Sequence, residues 1–121
     1  MVFLLLILTQ AAHSGEEYVT KLYEVFAPAR FVAGLINNNL AVGFLIGNAM
    51  LVAFGLWCWA VPVRCEWPSA RGFMWFWTVI ELVNGLSHST MAWLRHGYFT
   101  GVATAPLLLV FAGWMAALLL T

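Results

Sequence analysis

The chain has 121 residues, 64 % of them apolar and 8 % charged, with five basic and five acidic side chains that leave no net charge. A soluble domain ordinarily carries about 25 % charged residues, so a chain that covers itself with a polar surface is excluded, and the mean hydropathy of +0.91 points to an integral membrane protein. The five Lys and Arg residues are scattered, which excludes the basic patch that nucleic-acid binding needs.

The run V-F-L-L-L-I-L at Val2–Leu8 opens the first predicted helix. No Lys or Arg precedes it, as a signal peptide would require, so the segment is expected to be the first half of a helix over residues 1–18. Residues 19–39 mix Lys21, Glu24 and Arg30 with Tyr23, Phe26 and Phe31, interrupted by Pro28. That pattern predicts an amphipathic connection along the lipid headgroups. Asn37, Asn38 and Asn39 offer caps for a second helix over 40–61. Within it, Gly43 and Gly47 form a small-xxx-small pair that lets another backbone approach. The loop Pro62–Arg71 is the clearest break. A third helix follows over 72–93 and a fourth over 102–120, with Pro106 in its first turns. Trp57, Trp59, Trp67, Trp75 and Trp77 flank the loop as an aromatic belt would. Arg64 and Arg71 on one side against Lys21, Arg30 and Arg95 on the other leave the membrane orientation undetermined. Cys58 and Cys65 fit neither a C-x-x-C motif nor a zinc site. They are expected as two free thiols, with a disulfide across the loop as the alternative. The expected architecture is all-α: an integral membrane four-helix bundle, multi-pass, forming one domain over residues 1–121.

Most charged residues fall in loops or interfaces. Glu16, Glu17 and Glu81 do not, and His13, Asn48, Asn84 and His88 join them inside the predicted spans. An ionisable group at mid-membrane costs at least about 2.5–3.5 kcal/mol, so such residues usually face inward and pair. On a helical projection Glu81, Asn84 and His88 share an arc of about 60°, and His13, Glu16 and Glu17 one of about 100°. If all four helices span, the first and third run in the same direction. Both clusters then reach similar depth, roughly 18–24 Å and 15–25 Å from one membrane face. One shared site is expected. Bland readings apply elsewhere: His96, beside Arg95, reads as a solvated interface residue and Asn48 as an interhelical hydrogen bond, while Glu16 either joins the site or reaches the headgroups and leaves Glu17 as the inward carboxylate.

The run His13-Ser14-Gly15-Glu16-Glu17 reads H-x-x-E-E, and His88 within N-G-L-S-H supplies a later histidine. Tyr98-Phe99-Thr100-Gly101 then stands where a Y-x-P-G motif would, with Thr100 in place of the proline. In this order the motifs resemble those of the HXXEE family of small polytopic membrane proteins. The resemblance implies that His13, Glu16, Glu17 and His88 act as one site, and the missing proline implies a looser turn. It carries no activity with it.

Three functions follow from such a site. His13, Glu16, Glu17, Glu81 and His88 are candidate ligands for a divalent metal (iron, zinc or manganese), with Asn84 in support. A dinuclear carboxylate site would need more ligands than are clearly present. Glu17, Glu81 and His88 are alternatively the catalytic groups of metal-free acid–base chemistry on a lipid-like substrate, an arrangement similar in kind to the sterol isomerases of the emopamil-binding type. The third function is that of an accessory subunit among other membrane subunits. There the polar cluster is an interhelical clasp, or His13 and His88 ligate a haem or pigment.

Overall fold

The computed structural model describes all residues, Met1–Thr121, and contains helices only. The elements are α1 (Val2–Val19), α2 (Leu22–Val25), α3 (Ala27–Ile36), α4 (Leu40–Cys58), a π-helical turn (Trp59–Val63), α5 (Ala70–Leu94) and α6 (Ala105–Leu120). Asn39 is the cap that starts α4: its side chain accepts from the Val42 amide at 3.2 Å. Pro62 has no N–H to return to the preceding turn. The chain there widens instead, with Arg64 N bonding Trp59 O at 3.1 Å, and the helix ends shortly after. α5 begins at Ala70, so Arg71 lies within its first turn, and its guanidinium donates to the Leu119 carbonyl near the end of α6.

The four long helices pack in the cyclic order α1, α4, α5, α6, with α1 and α5 diagonal to one another. α1 and α5 run in the same direction: Ile7 meets Trp77 across Gly55, and further along both helices His13 meets His88. An apolar cluster built from Leu6, Ile7, Cys58, Trp77, Ala112 and Met115 fills one end. A second, around Leu22, Tyr23, Ala33, Phe44 and Phe99, fills the other. Between them lies a layer of buried polar side chains.

The connection over residues 20–39 folds as α2 and α3. α3 packs closely on α4, because Gly43 leaves room for the Ala33 backbone. Ile36 covers Gly47, so the small-residue face of α4 is occupied from within the chain. Both cysteines are free, Cys58 buried and Cys65 exposed.

Large apolar side chains lie on the outside as well as in the two core clusters. Leu8, Leu45, Met50, Val83, Val110 and Leu118 are exposed, while His13, Glu17, Glu81 and His88 are buried. Leu40–Val63 is the one helical stretch both long and apolar enough to cross a membrane, and α3 and α6 are apolar but shorter. α1 and α5 have the length, but their inward polar side chains lower their hydropathy.

Candidate metal centre

On α1, Gln10, His13, Ser14 and Glu17 follow the 3-4-7 spacing of a single helical stripe, and all four are buried. Glu16 lies off that stripe and turns away. Across the bundle, His88 projects from α5 toward the same point. Glu17 Oε1 stands 2.9 Å from His88 Nε2 and 3.3 Å from His13 Nε2. The two imidazoles meet edge to face, with ring centroids 4.7 Å apart. His13, Glu17 and His88 form a buried group that could hold a metal ion, with ligand atoms all within 4.8 Å of one another.

Hydrogen bonds on the far side of each ring decide where a neutral ring carries its proton. His88 Nδ1 lies 2.5 Å from the Thr100 carbonyl oxygen. A carbonyl only accepts, so Nδ1 carries the proton and Nε2 of the neutral ring faces Glu17. His13 Nδ1 lies 2.6 Å from Thr104 Oγ1. That hydroxyl has one proton, which it donates to Glu16 Oε2 at 2.5 Å. Its oxygen therefore accepts from His13 Nδ1–H, and His13 Nε2 is left without a hydrogen-bond partner although the residue is fully buried. With both rings neutral, two bare nitrogens and one carboxylate oxygen thus converge. A single proton would join one nitrogen to the carboxylate and leave the other orphaned, at a cost of about 1–3 kcal/mol. A divalent cation satisfies all three. Bonds of about 2.0–2.1 Å put neighbouring ligand atoms about 2.9 Å apart at right angles and about 3.3 Å apart at tetrahedral angles. The two Glu17 contacts span that range.

Glu16 has a different position. Its carboxylate accepts from the amides of Ala103 and Thr104, each at 2.9 Å, and from the Tyr98 hydroxyl at 2.6 Å. It fastens α1 to the turn that leads into α6 and orients His13 through Thr104. Burial, and then the bond to Glu16, push the Tyr98 hydroxyl above its ordinary pKa, which keeps it a donor. The whole Tyr98–Gly101 segment closes over the centre. Tyr98 holds Glu16, Phe99 packs on the His88 ring at 5.6 Å, Thr100 supplies the carbonyl, and Gly101 lies against both imidazoles. The turn is tied by Val102 N to Phe99 O at 3.0 Å and Ala105 N to Gly101 O at 3.1 Å. Thr100 contributes through its backbone oxygen, which a proline would present equally, so the departure from Y-x-P-G leaves the His88 bond in place.

Glu81 and Asn84 belong to a neighbouring network. With its nitrogen toward Glu81, the Gln10 amide donates to Oε2 at 2.7 Å and to Oε1 at 3.1 Å. Its oxygen then faces Ser14 Oγ as an acceptor at 2.9 Å. The one Ser14 hydroxyl proton lies between that oxygen and Asn48 Oδ1 at 2.7 Å, and Asn48 donates to the Phe44 carbonyl at 3.0 Å. Asn84 Nδ2 lies 3.5 Å from Glu81 Oε2. This chain ties α5 to α1 and α1 to α4. His96 is exposed in the loop after α5, apart from both networks.

Thr104, Gln10 and the Thr100 carbonyl were not singled out from the sequence. The 3-4-7 spacing on α1 signals Gln10. Nothing local signals Thr104, whose role depends on the loop folding back onto α1.

These features define an all-helical protein with a His–Glu–His centre sealed by the turn before its last helix. The chain belongs to the family described as proteins of unknown function with an HXXEE motif, which matches residues 4–116. No curated protein and no solved structure matches it.

Proposed function

We propose that this protein is a multi-pass membrane metalloprotein that holds one divalent ion on His13, Glu17 and His88 and acts on a lipid-like substrate. The fully buried Nε2 of His13, which has no hydrogen-bond partner, carries the reading, because a proton shared by Glu17 and His88 leaves it unsatisfied. Imidazole favours zinc or iron over manganese. Three protein ligands leave positions open, as in catalytic rather than structural sites. A bound ion there would polarise a substrate oxygen or lower the pKa of a water. The chain's own contribution is to fix both imidazole orientations through Thr100 and Thr104, an outer arrangement typical of metal-binding histidines.

Membrane insertion is supported by the many large apolar side chains exposed on the outside of the bundle. α1 and α6 are about 27 Å and 24 Å long. That is short of a hydrocarbon core of about 30 Å by a mismatch that local thinning accommodates. In the accessory-subunit reading, the Glu81–Gln10–Ser14–Asn48 chain serves as the clasp. That reading leaves the His13 nitrogen unexplained, and the Gly43/Gly47 face is already taken by α3.

Metal content of protein extracted in mild detergent tests the proposal. The expected result is one zinc or iron per chain, removable by chelation and restored on addition. Glu17→Gln should hold less than a tenth of an equivalent. Thr104→Val, which removes the hydroxyl that links His13 to Glu16, should weaken binding by about 10–100-fold, with Thr104→Ser restoring it. Metal-free wild type that cannot be loaded would contradict the assignment.

A further inference from the structure

α5 packs its Gly85 face against Leu109 and Ala105 of α6. On its opposite flank a groove of about 470 Å³ opens, walled by Phe26, Val83 and Met91 and floored by Asn84, Ser87 and His88. The volume lies in the range of small-molecule sites. α4 and α5 stack aromatic rings near the Pro62–Arg71 loop, Phe54 on Phe73, Phe76 and Trp77, but meet little elsewhere. The groove is therefore left open to the side, beside exposed Val79 and Val83. In a membrane its mouth faces hydrocarbon rather than water.

The floor is chemically distinct from the walls. Ser89 returns its hydroxyl to the Gly85 carbonyl at 2.8 Å, and Thr78 does the same to Met74 at 2.7 Å. Ser87 has no protein partner and is exposed on the groove. A hydroxyl left facing apolar surroundings without a partner is costly, so an occupant that offers it an oxygen acceptor is favoured. His88 belongs to both the groove floor and the metal centre. No Lys or Arg lines the groove, which favours a neutral head over a free carboxylate.

We infer that the groove takes a single-chain lipid with a neutral carbonyl head, a long-chain fatty ester or aldehyde. It enters sideways from the bilayer and sets its carbonyl oxygen beside Ser87, Asn84 and His88. The inference rests on the metal-centre reading only for what the head would reach past His88. The chain lies along Val83 and Met91 toward Phe26, and the apolar walls exclude water from the head.

The test uses the full chain in nanodiscs and a C16 methyl ester carrying a diazirine at its far end. Crosslinks should concentrate on peptides containing Phe26 and Val79–Met91. Unlabelled ester and unlabelled aldehyde should each compete at least fivefold better than the free acid. Val83→Trp should reduce labelling at least fivefold, while Leu118→Trp, on the outer face of α6, should leave it unchanged. Labelling spread evenly over α4 and α6, equal competition by the free acid, or indifference to Val83→Trp would overturn the inference. Metal content of the same samples separates the two readings. Groove labelling without metal upholds the groove and removes the ion, whereas metal without groove labelling leaves the ion and removes the lipid.

Discussion

Gly101→Ala is expected to abolish metal binding. A Cβ at this position would lie 2.6 Å from His88 Nδ1, 2.7 Å from His13 Cε1 and 2.8 Å from His88 Cε1, and Gly101 has φ +89°. Both effects act at once. A side chain in that backbone region costs about 1–3 kcal/mol, and forcing extra volume into a packed interior about 1–3 kcal/mol more. The rings cannot yield without breaking the bonds that orient them, since His88 is pinned to Thr100 and His13 to Thr104. The variant should therefore melt well below wild type and bind less than a tenth as much metal. An Ala variant with full metal content would show that the Tyr98–Gly101 turn does not seal the centre.

Gly43→Ala should also destabilise strongly, but with the opposite consequence for the site. Its Cβ would stand 2.1 Å from the Ala33 carbonyl oxygen and 2.9 Å from the carbonyl carbon. Backbone atoms cannot step aside as a side-chain tip can, so α3 must lift away from α4. The cost falls at or above the usual 1–3 kcal/mol of overpacking. Limited proteolysis should then cut within Ala27–Ile36 at least tenfold faster than in wild type. α3 supplies none of the three converging ligands, so metal content should stay near wild type. Unchanged protease resistance would mean that α3 is not held by this contact.

These contrasting outcomes separate two kinds of information in the chain. The helical projection brings His13, Glu17 and His88 to one place, because burying a charge inside an apolar helix admits few alternatives. The same projection cannot separate Glu16 from Glu17. An arc of about 100° is wide enough to contain two directions, and it takes the 3-4-7 stripe of Gln10, His13, Ser14 and Glu17 to show that Glu16 points elsewhere. Glu81 shares a face with His88, yet it is engaged by Gln10, a neutral side chain whose significance depends on its partner. The Gly43/Gly47 pair announces a close approach but not what approaches. α3 fills it because residues 37–39 reverse the chain beside α4.

The turn before α6 was the least legible part. Thr104 and the Thr100 carbonyl act through positions that only the closed loop creates, more than eighty residues from α1 in sequence. The start of α6 at Ala105 has the same origin. Glu16 takes up the amides of Ala103 and Thr104, and Gly101 reverses the chain with its positive φ. H-x-x-E-E and Y-F-T-G are thus two halves of one device. The first supplies two of the converging side chains and a fastening carboxylate, and the second supplies the carbonyl that holds His88, the Tyr98 hydroxyl that holds Glu16 and the small residue that lies against both rings.

Anomalous diffraction from crystals of the metal-reconstituted protein tests the central claim most directly. A single peak within about 2.0–2.2 Å of His13 Nε2, Glu17 Oε1 and His88 Nε2, with His13 Nδ1 still on Thr104 and His88 Nδ1 still on Thr100, is the predicted result. A peak elsewhere, or no peak at this centre with the two rings unmoved, would contradict it.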